Sequence, residues 1–477
     1  MKKIPSQGLS ESELFSEMEA MKKDDLKWRT GRNFAYVYYP GEEILNVVKK
    51  AYQLFFSGNA LNPSAFPSLR NMENEVVSMS ANLLHGDKEV VGSLTTGGTE
   101  SILMAVKTAR EWGKKNRKLS GKPEVIIPAT AHPAFYKAAH YFDVKVVLIE
   151  VESDFRVDPQ KMEKAITENT VLLVGSAPSY PQGVVDPIED IGQVASQHNL
   201  LFHVDACIGG FILPFLQQLN YKIPNFDFSV TGVTSISADI HKYGYAAKGA
   251  SVILYKNSDL RKHQFYTYTK WTGGIYASPT MTGTRPGGAI AAAYAALKFI
   301  GNDGYLKLAK SCMETTLKIQ TAIREIPELN ILSSPDATLF AITSDVLDIY
   351  EVGDEMGILG WQIDRQQMPA SLHFSINPAH EKVADEFLED LNKAVAKAKK
   401  LSINKVGKNI QLQAVKTMQR VLPKSLFDKF TQLAAKHSEV GGTRSAAMYG
   451  MIGEIQGKGD LDDMIKEFLD KMMKNND

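Results

Sequence analysis

Thr234-Ser-Ile-Ser-Ala-Asp-Ile-His-Lys-Tyr-Gly-Tyr-Ala-Ala-Lys-Gly-Ala-Ser251 is the stretch whose reading decides the fold. A strand-like run leads into it, and Ala250-Ser-Val-Ile-Leu-Tyr255 leaves it. Between them sit His241, Lys242, Gly244, Gly249 and a second lysine, Lys248. A lysine on a polar, glycine-flexed turn is well placed to form a Schiff base with an aldehyde cofactor. A merely solubilising lysine is the alternative, but Ser237, Asp239 and His241 crowd this one between two apolar strands. The amine must be partly deprotonated, which burial and a neighbouring cation favour. Lys248 can be that cation, or it can meet a substrate anion. Upstream, His203-Val-Asp-Ala-Cys207 sets Asp205 at the end of another apolar run. A lysine anchor plus a carboxylate that keeps a ring nitrogen protonated is the pair that pyridoxal phosphate requires. A structural salt bridge is the other reading of Asp205, since a lone buried carboxylate is costly.

Working outward, Val125-Ile-Ile, Val146-Val-Leu-Ile-Glu-Val151, Val171-Leu-Leu-Val-Gly175 and Leu200-Leu-Phe-His-Val-Asp205 are short continuous apolar runs. Helical patterns fall between several of them, at 99–117, 158–168 and 187–198. Continuous rather than alternating hydrophobicity predicts strands covered on both faces, hence a mostly parallel α/β sheet. Ligands of such sheets bind beyond the carboxyl ends of the strands. Three parts are expected: an arm over 1–65, a large domain over 66–300 and a small α+β domain over 301–477. Residues 10–28 open with the capping pattern Ser10-x-x-Glu13 and carry an apolar face for another domain or a second subunit.

The 477 residues are 44% hydrophobic, enough for a large core. Lys+Arg and Asp+Glu balance at 54 each, so no overall field recruits nucleic acid. Cys207 and Cys312 provide no disulfide framework and fit a reducing compartment. No apolar run approaches a membrane span, so a soluble, cytoplasmic protein is expected, with export to a host cell left open. Residues 404–437 carry seven Lys/Arg against the single acid Asp428. They form either a solvated basic face or a surface for peripheral membrane contact.

Thr95-Thr-Gly-Gly-Thr-Glu-Ser101 precedes a helical pattern. Two glycines and a hydroxyl at a helix start make a phosphate cradle, though the same residues also make an ordinary tight turn. His132, after the Val125-Ile-Ile-Pro run, is a candidate to stack on a cofactor ring, or a loop histidine with a water partner.

Together these motifs resemble the pyridoxal-phosphate decarboxylase superfamily, and within it the sphingosine-1-phosphate lyases. The resemblance rests on Thr96-Gly-Gly-Thr-Glu-Ser-Ile-Leu-Met-Ala105, His203-Val-Asp-Ala-Cys-Ile-Gly-Gly-Phe211, the Gly232–Tyr245 run, Gly273-Gly-Ile-Tyr-Ala-Ser-Pro-Thr280, Gly283-Thr-Arg-Pro-Gly-Gly288 and Ala446-Ala-Met-Tyr-Gly-Met451. It implies an aspartate-aminotransferase-like fold with a mostly parallel seven-stranded sheet and a small C-terminal domain. It implies Lys242 as the Schiff-base lysine, Asp205 as the partner of the pyridine nitrogen, and His132 stacked on the ring. Gly98, Thr99 and His241 would hold the cofactor phosphate, with Thr284 supplied by the other subunit of a homodimer that shares its active site. Lys248 and Tyr38 would meet the substrate phosphate, and Tyr180 would lie over the active site. Asn62 stands where the family usually has a histidine, and an asparagine donates a hydrogen bond but carries no charge. No metal ligand set is expected.

The implied reaction is retro-aldol cleavage of a phosphorylated sphingoid base to phosphoethanolamine and a long-chain aldehyde, with Tyr180 or the substrate phosphate as base. An amino-acid decarboxylase on the same scaffold is the rival. A lipid-binding protein that keeps the fold without the chemistry is the third reading.

Overall fold

The computed structural model describes residues 3–404 and 460–473. The basic stretch from residue 405 onward and the Ala446–Met451 run lie outside the described residues. Strands β1 (Val91–Thr95), β2 (Glu124–Pro128), β3 (Lys145–Ile149), β4 (Thr170–Ser176), β5 (Leu201–Asp205), β6 (Ser235–Ala238) and β7 (Ser251–Tyr255) build one sheet. Its order is β1-β7-β6-β5-β4-β2-β3. The β2–β3, β2–β4, β4–β5 and β5–β6 pairs are parallel, and β7 runs antiparallel to both β6 and β1. The mostly parallel seven-stranded sheet expected from the sequence is therefore present.

Four of the apolar runs become strands covered on both faces, whereas the run in β3 lies at the sheet edge and leaves Leu148 exposed, against expectation. Every residue of β2, β4, β5 and β7 is buried. Ile126, Leu173, Phe202 and Val204 join one apolar cluster, while Val125, Ile127, Val171 and Leu172 join another with the helix Gly98–Asn116. Burial of each such side chain contributes about 1.5–3 kcal/mol. Helices Ala134–Phe142, Pro159–Lys164 and Ile188–Gln197 connect the successive parallel strands. The second of these is shorter than the 158–168 pattern suggested. The alanine-rich stretch 289–300 reads as a helix and is the first part of Gly287–Arg324, interrupted by non-helical Gly301.

The chain divides into two compact units. The larger, Phe34–Thr343 with His373–Leu388, contains the sheet. The other comprises Met1–Asn33, Ser344–Leu372 and Glu389–Asp477. Within it the Arg32 guanidinium donates to the Leu359 carbonyl (2.7 Å), Trp361 Nε1 donates to Asp390 (3.0 Å), and Arg365 pairs with Asp354 (2.7 Å). The first helix, Glu11–Met21, has the expected Ser10–Glu13 capping box and leaves Leu14, Phe15, Met18 and Met21 exposed.

Candidate active site

Parallel pairing aligns strand ends. Because β7 is antiparallel to both β6 and β1, the carboxyl ends of β1, β2, β4, β5 and β6 share one edge, and β7 begins there. Thr96–Thr99, His132, Tyr180, Asp205 and the Asp239–Lys248 turn all follow those ends. Segments far apart in sequence thus converge on the edge where ligands bind in such sheets.

The Lys242 ammonium lies 3.0 Å from Asp239 Oδ2, and that carboxylate is almost fully buried. Burial is the largest single influence and pushes the lysine down, but Asp239, Cys207 and Tyr38 together outweigh it and the net shift is upward. For Asp239 itself burial pushes up, and Lys242 and then His241 bring the carboxyl below its usual range. Burial takes His241 down to about 4 despite Asp239. His241 is therefore neutral near pH 7. Its Nδ1 accepts from the Ala250 amide (3.2 Å), which leaves the proton on Nε2.

The turn after β1 is held open by side-chain bonds below it. Ser101 Oγ joins Thr95 Oγ1 (2.6 Å) to Ser251 Oγ (2.8 Å). Glu100 Oε2 accepts from the amide and hydroxyl of Thr96 (2.7 Å each), and Oε1 accepts from the Met281 amide (2.9 Å). No side chain caps the Gly98–Asn116 helix, so its first amides face outward. A Cβ on Gly98 would sit 2.7 Å from Cys207 Sγ and 2.8 Å from Asp239 Oδ2. Only glycine lets the cradle close onto the lysine turn.

Asp205 Oδ1 accepts from the Cys207 amide (3.1 Å) and the Ser237 hydroxyl (3.2 Å). Among the described residues Oδ2 takes no hydrogen bond, and no cation pairs with the carboxylate. These groups fit pyridoxal phosphate: uncapped helix amides for an anion, a lysine for an aldehyde and a half-satisfied carboxylate for a ring nitrogen.

Lys248 Nζ donates to the carbonyls of Tyr36 (2.9 Å) and His241 (3.3 Å) and lies 5.7 Å from the centre of the Tyr38 ring. Although Lys248 is exposed as a residue, desolvation of its ammonium and then the nearby Lys242 charge bring it down to about 8. Tyr36 holds φ 62, a strained value for an aromatic residue. The Tyr180 ring packs on buried His373, with centroids 4.1 Å apart. His132 is exposed, with Nδ1 accepting from the Ala134 amide (3.1 Å).

Two expected residues stand apart from this group. Asn62 is exposed and spends Oδ1 on the Ser64 amide (2.9 Å), and Thr284 is also exposed. Their segments are neighbours, since Asn59 bridges Pro286 and the Ala60 amide bonds to the Arg285 carbonyl (2.9 Å). Asp239 had no role assigned from sequence. Its signal was its place three residues before Lys242, which a turn converts into an ion pair.

The chain matches the family model described as the pyridoxal-dependent decarboxylase conserved domain over residues 2–343. It is 45% identical to a sphingosine-1-phosphate lyase of Oryza sativa over 82% of this chain and 74% of the rice protein. A sphingosine-1-phosphate lyase of Saccharomyces cerevisiae is 36% identical over 99% of this chain and 75% of the yeast protein. The solved structure of a sphingosine-1-phosphate lyase from Burkholderia pseudomallei superposes with a TM-score of 0.81 at 39% identity, covering 89% of this chain and 98% of that one. A Lactobacillus brevis glutamate decarboxylase, 20% identical with a TM-score of 0.73 over 83% of this chain and 95% of that one, shares the fold. Matched over most of its length by that family model and by these lyases, the chain belongs to the pyridoxal-dependent decarboxylase family and, within it, to the sphingosine-1-phosphate lyases.

Proposed function

We propose that this chain cleaves the C2–C3 bond of sphingosine 1-phosphate and related phosphorylated sphingoid bases, releasing a long-chain aldehyde and phosphoethanolamine. The observation that carries this reading beyond the shared cofactor chemistry is the pair of lysines on one turn. Lys242 is committed to Asp239, while Lys248 points at the Tyr36–Tyr38 segment. A second cation beside tyrosines provides for a phosphate on the substrate, which an amino-acid decarboxylase lacks.

When bound, pyridoxal phosphate supplies the electron sink that lets the carbon–carbon bond break. Lys242 would anchor it, and the amides at Gly98 and Thr99 with His241 Nε2–H would hold its phosphate. His132 would stack on its ring, and Asp205 would accept from its ring nitrogen through Oδ2. Lys248 and Tyr38 bind the substrate phosphate, and Asn62, which stands apart from them within one chain, would reach it from the partner subunit. The proton of the C3 hydroxyl goes to one of two bases, Tyr180 or the substrate phosphate. Asp239 Oδ2, 3.0 Å from Lys242 Nζ, stabilises the proton on that nitrogen whenever the amine is released.

Purified protein with cofactor and sphingosine 1-phosphate should yield aldehyde and phosphoethanolamine in equal amounts, with no carbon dioxide. No aldehyde from cofactor-loaded protein would reject the lyase reading, and carbon dioxide from an amino acid would install the decarboxylase.

The active unit is a homodimer that shares its site, with Thr284 reaching the neighbouring cofactor phosphate. Support comes from the ribbon β8 (Tyr266–Trp271) and β9 (Gly274–Ser278), which leaves Tyr266, Tyr268, Trp271 and Ile275 exposed beside the Thr284 segment. Apolar surface on that scale marks an association site. Sedimentation should give the mass of two chains, and the mass of one in the active preparation would overturn the shared site. Among the described residues no helix is long and apolar enough to cross a membrane. A cytoplasmic setting fits the two buried, unpaired thiols.

A further inference from the structure

Strands β5 and β6 pair in parallel with His203 opposite Ser235 and Asp205 opposite Ser237. Alternate residues share a face, so two polar pairs stack along one side of an otherwise apolar pair of strands. His203 Nδ1 lies 2.9 Å from Ser235 Oγ, and Nε2 lies 3.1 Å from Ser237 Oγ. Ser237 Oγ lies 3.2 Å from Asp205 Oδ1 and 3.3 Å from Cys207 Sγ. His203, Ser235 and Ser237 have almost no solvent access, so no water competes for these bonds.

The protons in this row can be counted. An ionised carboxylate only accepts, so the bond to Asp205 must use the single hydroxyl proton of Ser237. Ser237 Oγ is then an acceptor towards its other neighbours. His203 Nε2 must carry a proton to donate to it, and the buried Cys207 thiol donates as well. Burial brings His203 down to about 4, so the ring is neutral and Nδ1 carries no proton. Nδ1 therefore accepts from the Ser235 hydroxyl. One direction of donation, Ser235 to His203 to Ser237 to Asp205, satisfies all four groups together.

We propose that His203 and Ser237 are positioning residues that fill Oδ1 of the Asp205 carboxylate and turn Oδ2 towards the ring nitrogen of the cofactor. This rests on the reading of Asp205 given above. A protonated Asp205 would offer a proton of its own, and the row would lose its fixed direction. In an ordinary set of satisfied core groups, either histidine tautomer would serve.

Two measurements test it. NMR of the unaltered holoenzyme carrying isotope-labelled histidine should show His203 neutral with its proton on Nε2. A proton on Nδ1, or on both nitrogens, overturns the relay and needs no variant to fold. Cofactor dissociation constants should then be compared for wild type, Ser237→Ala, Ser237→Thr and Asp205→Ala. Ser237→Ala should bind about tenfold more weakly, the loss expected when a hydrogen bond to a charged group is removed, and Ser237→Thr should recover the affinity. Unaltered affinity in Ser237→Ala alongside weakened binding in Asp205→Ala would reject the relay alone. Unaltered affinity in Asp205→Ala would reject the reading of Asp205 itself.

Discussion

Lys242→Ala should leave a protein without the visible absorbance band near ~420 nm that an anchored cofactor gives, and with turnover reduced roughly 10³-fold or more. The loss has two parts. The covalent anchor disappears, and so does the amine that returns to the cofactor after each cleavage. The same change strands Asp239, whose carboxylate is almost fully buried and whose Oδ2 holds Lys242 at 3.0 Å. Removing one partner of a buried pair costs about 3–5 kcal/mol, so the variant should also melt earlier. Adding Asp239→Asn should restore much of the stability and none of the turnover, which separates the anchor from the fold. Normal turnover in Lys242→Ala would remove this residue from the chemistry.

Lys248→Met should lower kcat/KM for sphingosine 1-phosphate roughly 10- to 100-fold, mainly through KM, because a charge-assisted bond to phosphate is lost. The ammonium is brought down to about 8 by burial and then by Lys242, with Asp239 acting the other way. It is charged below that pH and neutral above it. Since kcat/KM reports the free enzyme, the wild-type value should fall as pH rises through about 8, and the Lys248→Met profile should lack that limb. An amino alcohol without the phosphate should be handled equally poorly by both proteins. An unchanged KM in the variant would remove Lys248 from substrate recognition.

The sequence was most legible where burial is symmetrical. β2, β4 and β7 are sealed on both faces and their apolar runs read directly as strands, while β5 reads as one despite His203 within it. β1 was not legible: it reads Val-Gly-Ser-Leu-Thr, because β7 approaches too closely for larger groups. A Cβ on Gly92 would lie 2.5 Å from the Ile253 carbonyl oxygen. The long helix Gly287–Arg324 was seen only as its alanine-rich start, since Gly301 in an extended, positive-φ conformation interrupts it. At the site, the lysine turn and Asp205 were visible because strand-end polarity is rare in such runs. The partnership of Asp239 with Lys242 and the row behind Asp205 depend on turn geometry and strand register, which spacing alone does not reveal. The packing of Tyr180 on His373 joins residues nearly two hundred positions apart, and no local pattern announces it.

The reversal of β7 has a geometric consequence for evolution of the site. Had β6 been followed by another parallel strand, the chain would have needed a crossover, and such connections are usually helical. At 1.5 Å per residue, a helix begun after Lys242 would carry a residue six positions later about 9 Å down the outside of the sheet. Because β7 instead turns back antiparallel, the whole connection from Asp239 to Ala250 stays at the mouth of the sheet. One largely buried loop therefore carries both Lys242 and Lys248, and a change in the spacing between them would retune the distance from one amine to the other without touching the sheet.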